Sequence, residues 1–225
     1  MLRRLCAEGI GSLLLAAAVV GSGIMGERLA GGNVAIALLA NTGATIAVLA
    51  CLIGMFAPVS GAHFNPAVSL VEWLRGRIRR SEFVARAAVQ VIGCVAGVVL
   101  AHAMFGLPLV QEGTHARAGF AQWLSEFVAT AGLLLVILGR GDKPDAPWMI
   151  AAWIGGAYWF TASTSFANPA ITIARSLTAT FAGIRPADTP AFIGAQLVGA
   201  LAAWGITSLL FDGLQPGAGD AARQP

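Results

Sequence analysis

The tripeptide Asn-Pro-Ala occurs twice in the sequence, as Asn65-Pro66-Ala67 and as Asn168-Pro169-Ala170. Asn is a favoured N-cap residue, and Pro fits the first helical position because the N–H that it lacks would have no partner there. Each copy therefore predicts the start of a short helix. Both helices lie in apolar stretches too short to cross a bilayer, so we expect two re-entrant half-helices that begin near the middle of a membrane. Non-helical backbone is tolerated at that depth only where protein surrounds it or where it lines a watery cavity.

The composition is that of an integral membrane protein, since the 225 residues are 57% hydrophobic and 11% charged, against about 25% charge in soluble domains. Apolar runs of about 20 residues can cross a bilayer. The sequence contains six such runs: 5–26, 33–57, 82–105, 119–139, 147–165 and 190–211. We therefore predict an all-α integral membrane protein with six transmembrane helices and two re-entrant half-helices. It would form a single membrane domain over 1–225, with a disordered tail at 212–225.

The order of features repeats between the two halves of the chain, about 5–105 and about 119–211. Each half has a span with an early Glu, a second span, a half-helix and a third span with Gln-x-x-Gly. Three spans per half require the two halves to have inverted topology. Inverted repeats place the working site at the midplane, between interrupted helices.

The two early glutamates, Glu8 and Glu126, are functional candidates because a carboxylate within a span is costly to bury. They could carry protons in a transporter, or they could accept hydrogen bonds from the unpaired backbone of the re-entrant loops. Their matched positions in the repeat favour the second interpretation. Gln90 and Gln196, which stand 106 residues apart, have an analogous interpretation as loop-anchoring groups.

The basic residues are distributed unevenly between the two sides of a six-span arrangement, with ten on one side and four on the other. The positive-inside rule then predicts a multi-pass protein of the inner (plasma) membrane with both termini in the cytoplasm. The Arg75–Arg86 cluster could bind nucleic acid, but topology with some headgroup contact explains it better, so no nucleic-acid partner is expected. Cys6, Cys51 and Cys94 show no metal-binding spacing, and we expect no metal and no cofactor.

These features together resemble the aquaporin/aquaglyceroporin (major intrinsic protein) family over about residues 5–211. The resemblance rests on the paired motifs, the stretch SGAHFNPAVS, the early Glu in each half and the Gln-x-x-Gly spans. It implies an hourglass pore in every subunit of a homotetramer, and it implies that Asn65 and Asn168 donate side-chain N–H groups to the permeant. Two facing helix ends, each about half a positive charge, would exclude protons and cations.

The family's aromatic/arginine constriction falls, by ungapped counting from the motifs, on Thr45, Gly156, Ser165 and Ile171. Water-selective members usually have a Phe, a His and an Arg among these positions. Here the Phe position is Thr45, the His position is Gly156 and the Arg position is Ile171. The loss of three bulky side chains predicts a pore wide enough for solutes of glycerol size.

Two further candidates lie near the motifs. Arg175, one helical turn beyond Ile171, either supplies positive charge at the outer vestibule or is a structural Arg bonded to loop carbonyls. His63, two residues before Asn65, either lines the cytoplasmic approach, where it could sense pH, or holds the loop.

The stretch NPAITIARSLTATFAGIRP resembles the bacterial aquaglyceroporins that occur with arsenic-resistance genes. The resemblance implies a passive channel for small neutral solutes: water, glycerol and undissociated arsenite or antimonite. The alternatives are a water-selective aquaporin, an ion-coupled transporter that uses Glu8 and Glu126, and a closed structural membrane protein. No nucleophile, metal set or cofactor motif indicates an enzyme.

Overall fold

The computed structural model describes residues 1–141 and 143–211, and its regular secondary structure there is helical. The tail predicted at 212–225 lies outside the described residues. The helices, in chain order, are α1 (Leu2–Leu29), α2 (Val34–Ser60), α3 (Pro66–Leu74), α4 (Arg80–Met104), α5 (Phe120–Arg140), α6 (Ala146–Phe160), α7 (Pro169–Arg175) and α8 (Thr189–Phe211), with a 3-10 turn at Pro186–Asp188.

The eight helices divide into two sets of four with the same packing pattern. In the first set α1 packs against α2 and α4, and in the second α5 packs against α6 and α8. Contacts of α2 with α6 and of α4 with α7 join the two sets. Following the chain through these helices places 75–79 and 143–145 at one end, here called the basic end. The connections 105–119 and 176–188 lie at the other, here called the long-loop end.

Glycines allow the helices within each set to approach closely. A Cβ added at Gly93 on α4 would lie 2.4 Å from the Gly9 carbonyl oxygen of α1, and one added at Gly97 would lie 2.2 Å from the Leu13 oxygen. In the second set a Cβ at Gly199 on α8 would lie 2.5 Å from the Phe127 oxygen of α5. Small residues let membrane helices pack backbone to backbone in this way.

Five of the described helices, α1, α2, α4, α5 and α8, are long and apolar enough to cross a membrane. The sixth, α6, has 15 residues, which rise about 22 Å, and it ends at Phe160 instead of continuing through the predicted span 147–165. It ends there because Thr161 is extended, with φ −109° and ψ 140°, and Thr164 and Ser165 have positive φ. Residues 161–168 instead form the loop that leads into α7.

Candidate functional site

The two Asn-Pro-Ala motifs begin the two half-helices, α3 and α7. Asn65 Oδ1 accepts a hydrogen bond from the Ala67 N–H (2.9 Å), and Asn168 Oδ1 accepts one from the Ala170 N–H (2.9 Å). Both Asn residues are extended N-caps, and Pro occupies the first turn of each helix. The local rules for helix starts therefore explain both elements.

The two helix starts are joined to each other at the centre of the molecule. Asn65 Nδ2 donates to the Ala167 carbonyl (2.7 Å), and Asn168 Nδ2 donates to the Phe64 carbonyl (2.8 Å). A side-chain amide carries two N–H groups, so one N–H of each Asn remains available to a solute. Both Asn side chains line the central cavity.

The loops that lead into the half-helices share an unusual backbone conformation. Ala62 and Phe64 have φ of 51° and 49°, and Ser165 and Ala167, each 103 residues later, have φ of 50° and 49°. Positive φ is uncommon for residues with a side chain and costs about 1–3 kcal/mol each when strained. Both loops therefore need partners that hold them in place.

The buried glutamates are those partners. Glu8 accepts hydrogen bonds from the backbone N–H groups of His63 (3.0 Å) and Phe64 (2.7 Å). Glu126 accepts them from Phe166 (2.9 Å) and Ala167 (2.8 Å). These contacts correspond to the loop-anchoring interpretation, and they occupy both oxygens of each carboxylate.

The two Gln side chains complete each anchor in the same way. Gln90 Nε2 donates to Glu8 (2.8 Å) and to Ser69 Oγ of α3 (3.0 Å). Gln196 Nε2 donates to Glu126 (2.6 Å) and to Thr172 Oγ1 of α7 (2.8 Å). Each half-helix is thus tied to two long helices of its own repeat.

The two anchors differ in charge at the position four residues before the Gln. In the first repeat this is Arg86, which is buried, lies 3.5 Å from Glu8 and 2.7 Å from Glu82, and donates to the Ser60 carbonyl (2.6 Å). In the second repeat it is Phe192, whose ring packs against Phe166 with centroids 5.3 Å apart. Glu8 therefore has a buried cationic partner beside it, and Glu126 has an aromatic residue at the corresponding place.

A cavity of about 610 Å³ runs past both Asn side chains. It reaches Arg75 and Lys143 at the basic end and Arg175 toward the long-loop end. Thr45 on α2, Ser165 and Ile171, three of the four positions given by the motif count, line it. A cavity of this size, with a few polar groups in an apolar wall, is suited to small molecules.

Gly156 is placed differently from the sequence prediction. It is exposed, and a Cβ added there would meet nothing within 4 Å. The cavity is lined instead by Ile154 and Tyr158, one helical turn apart on α6. Gly155 packs so closely on Ile46 of α2 that the helix is turned with Gly156 away from the cavity.

His63 lines the cavity on its basic-end side and also helps to hold the loop. Its Nδ1 lies 2.9 Å from Ser69 Oγ on α3. The two interpretations of this residue are therefore compatible, because one ring nitrogen contacts α3 while the ring lies in the wall.

Arg175 is buried on α7 and also lines the cavity. Its Nε donates to the Ala182 carbonyl, and its guanidinium carbon lies 3.3 Å from the centroid of the Phe166 ring. Arg175 thus has both the loop bond of a structural residue and a position on the pore wall.

Residues that the sequence patterns did not single out close the long-loop end. Arg117 donates to the carbonyls of Gly183 (2.9 Å) and Ser163 (3.0 Å), and its backbone N–H donates to Asp188 (2.7 Å). His102, fully buried on α4, bridges the Leu109 carbonyl (2.9 Å) and Thr178 Oγ1 (2.8 Å). A polar His in an apolar span was the available signal for that site.

No group of three or more His, Cys, Asp or Glu side chains within 1–141 and 143–211 is placed to hold a metal ion. Cys6, Cys51 and Cys94 are free thiols.

Three features define the class of this protein as a membrane channel with two re-entrant helices. They are the inverted repeat of membrane helices, the two half-helices that meet at the centre, and the cavity that runs past the N-termini of those half-helices. The family model described as "Major intrinsic protein" matches residues 1–156. The chain belongs to the major intrinsic protein family. It is a multi-pass membrane channel through which small solutes pass passively, and it is not an enzyme.

Relatives of known name agree with this assignment. Aquaglyceroporin AqpS of Rhizobium meliloti is 51% identical over 216 residues, which cover 95% of this chain and 92% of the relative. Aquaporin Z of Photorhabdus laumondii is 31% identical over 172 residues, 69% of this chain and 72% of the relative. The crystal structure of the aquaglyceroporin from Plasmodium falciparum has the same fold, with a TM-score of 0.74 at 17% identity over 95% of this chain and 98% of that one. The predicted fold class is confirmed.

Proposed function

We propose that this protein is an aquaglyceroporin that conducts water, glycerol and undissociated arsenite or antimonite down their concentration gradients. The observation that carries the proposal is the composition of the cavity wall at Thr45, Ser165 and Ile171. Two small hydroxyl side chains and one aliphatic side chain suit a trihydroxy solute, whose hydroxyls bond on one side while its carbon or arsenic face slides along the other. The relative that is 51% identical is named an aquaglyceroporin, which supports glycerol as a solute.

The central Asn residues would exclude ions from this path. Asn65 and Asn168 each keep one N–H group for the oxygen of a neutral solute, and they stand at the positive ends of α3 and α7. A cation in the cavity would meet both helix ends, while Glu8 and Glu126 face the loop backbones. The carboxylate that does line the cavity, Glu72, is paired with Arg75 (3.1 Å) and Arg77 (3.8 Å). Neutral solutes pay no such electrostatic penalty.

The alternative of an ion-coupled transporter has less support. A proton carrier must exchange its proton with the transport path, but each carboxylate accepts two backbone N–H bonds and one from a Gln. The closed structural protein is also disfavoured, because a cavity of about 610 Å³ passes both half-helices.

We further propose that the channel is a homotetramer in the inner membrane, with the basic end and both termini in the cytoplasm. The basic residues at 75–80 and at 140–143 support this orientation through the positive-inside rule. Chemical crosslinking in the membrane would report the tetramer, and protease accessibility of tags at each terminus would report the orientation.

The decisive experiment measures permeability in vesicles reconstituted with purified protein. Stopped-flow light scattering would give the water and glycerol permeabilities, and filtration with arsenic analysis would give arsenite uptake, with protein-free vesicles as the control. We expect all three to exceed the control. Water flux alone would indicate a water-selective aquaporin, and uphill flux under a pH gradient would indicate a transporter.

A further inference from the structure

Two residues outside the motif-derived constriction lie in the cavity wall near its long-loop end, Tyr158 on α6 and Arg175 on α7. Each differs from the position that the motif count predicts. Tyr158 is two residues after Gly156, and Arg175 is four residues after Ile171. An aromatic ring and a guanidinium group are nevertheless both present on this part of the wall.

The position of Tyr158 is fixed by packing on both sides. The residue is 4% exposed, and its hydroxyl lies 3.5 Å from Thr45 Oγ1 on α2. Gly155 brings α6 close to Ile46 of α2, which sets the rotation of the helix and turns Tyr158 toward the cavity. The phenol therefore occupies space that Gly156, which faces outward, does not.

The position of Arg175 is fixed by an aromatic stack. Its guanidinium carbon lies 3.3 Å from the centroid of Phe166, and Phe166 packs edge-to-face on the buried ring of Phe192. Nε bonds the Ala182 carbonyl. Within the described part of the chain this is the hydrogen bond that the Arg175 side chain makes, and no carboxylate lies within ion-pair distance of it. Its terminal N–H groups and its charge therefore act on the cavity, which Arg175 lines.

We propose that Tyr158 and Arg175 determine the selectivity of this pore, Tyr158 by limiting its width and Arg175 by repelling cations and donating hydrogen bonds to solute oxygens. The inference rests on the proposed channel function and deepens it. The pore that results favours compact neutral solutes rich in oxygen acceptors, and it excludes cations of the same size. Position 171, where water-selective members have Arg, is Ile here, but Arg175 still supplies a positive charge to the long-loop end of the pore.

The charge is tested with urea and guanidinium, two planar solutes of similar size that differ in charge. Arg175→Met should raise the ratio of guanidinium to urea permeability roughly tenfold, the effect of removing one unit charge about 10 Å away at an effective dielectric constant near 20. Arg175→Lys should keep the low ratio because it keeps the charge. Arg185→Met is the matched control, because Arg185 lies at the same end of the molecule but is not part of the cavity wall.

The width is tested with polyols of increasing length. Tyr158→Ala should admit four- and five-carbon polyols that the parent excludes, and Tyr158→Phe, which keeps the ring, should exclude them as the parent does. Glycerol flux in every variant shows that the channel is folded and open. Tyr158 and Arg175 do not set selectivity if glycerol flux is normal in the variants but neither the guanidinium-to-urea permeability ratio nor the longest polyol admitted changes. If the parent conducts no solute, the proposed function itself fails.

Discussion

Replacing the anchor of the second loop, Glu126→Gln, should destabilise the protein without making its transport depend on protons. The Glu126 carboxylate accepts hydrogen bonds from the Phe166 N–H (2.9 Å), the Ala167 N–H (2.8 Å) and Gln196 Nε2 (2.6 Å). A Gln side chain has one acceptor oxygen and one NH₂ group in the same volume. At least one buried N–H would then face another donor.

The size of the effect follows from the contacts that are lost. A hydrogen bond to a charged group contributes about 1.5–3 kcal/mol, and a buried unsatisfied donor costs about 1–3 kcal/mol. Polar interactions in membrane proteins lie at the low end of such ranges, so we expect about 2 kcal/mol for Glu126→Gln. Glu8→Gln should cost more, because it also removes a carboxylate 3.5 Å from the buried Arg86, although Glu82 still pairs with that guanidinium at 2.7 Å.

The assay is thermal unfolding of the purified protein in detergent, followed by solute flux in vesicles with and without a pH gradient. Glu27→Gln is the control, since Glu27 is an exposed carboxylate on the same helix as Glu8. We expect the melting temperature to fall in the order Glu27→Gln, Glu126→Gln, Glu8→Gln, with flux remaining passive in each. Unchanged melting of both anchor variants, or uphill flux that either substitution abolishes, would refute the anchoring role.

Three further predictions concern the pore and the helix packing. Asn168→Asp should increase sodium or proton leak in vesicles, because a carboxylate opposes the positive ends of the half-helices; leak equal to that of the parent in folded protein would contradict the dipole barrier. Ile171→Arg should lower glycerol and arsenite permeability more than water permeability, since a long side chain with five donors enters the wall; an unchanged ratio would show that position 171 is not at the constriction. Gly97→Ala should lower the melting temperature, because its Cβ would lie 2.2 Å from the Leu13 oxygen, whereas Gly43→Ala, with nothing within 4 Å, should not. Equal melting of the two glycine variants would count against that packing.

The features that the sequence predicted correctly depend on local rules or on the repeat. The starts of α3 and α7 follow from Asn and Pro at adjacent positions, so neither needs knowledge of the tertiary structure. The matched spacing of the motifs, the glutamates and the glutamines indicates inverted topology, because three spans per half allow no other arrangement.

The features that the sequence did not predict depend on contacts between distant segments. The rotation of α6 is set by the approach of Gly155 to Ile46, which counting from Asn168 cannot detect, so Gly156 was assigned to the wall in place of Tyr158. The role of Arg117 required the fold as well, because its carbonyl partners, Ser163 and Gly183, are 46 and 66 residues away along the chain.

The difference between the two anchors explains how the Arg175 cation comes to lie in the pore wall at the long-loop end. In the first repeat the cation, Arg86, is buried between the carboxylates of Glu8 (3.5 Å) and Glu82 (2.7 Å). Its charge is therefore paired, and it is not among the residues that line the cavity of about 610 Å³. In the second repeat Phe192 takes that place and stacks on Phe166, whose face then carries the Arg175 guanidinium on the pore side. With an aromatic residue in place of the buried cation, the loop anchor through Glu126 and Gln196 is preserved. The Arg175 guanidinium can then lie against the Phe166 ring, where its charge acts on solutes. A double substitution that placed Arg at 192 and Met at 175 should keep the loop anchored but lose the discrimination between guanidinium and urea. If discrimination survived in folded protein, the charge would have to come from elsewhere at the long-loop end, with Arg117 as the next candidate.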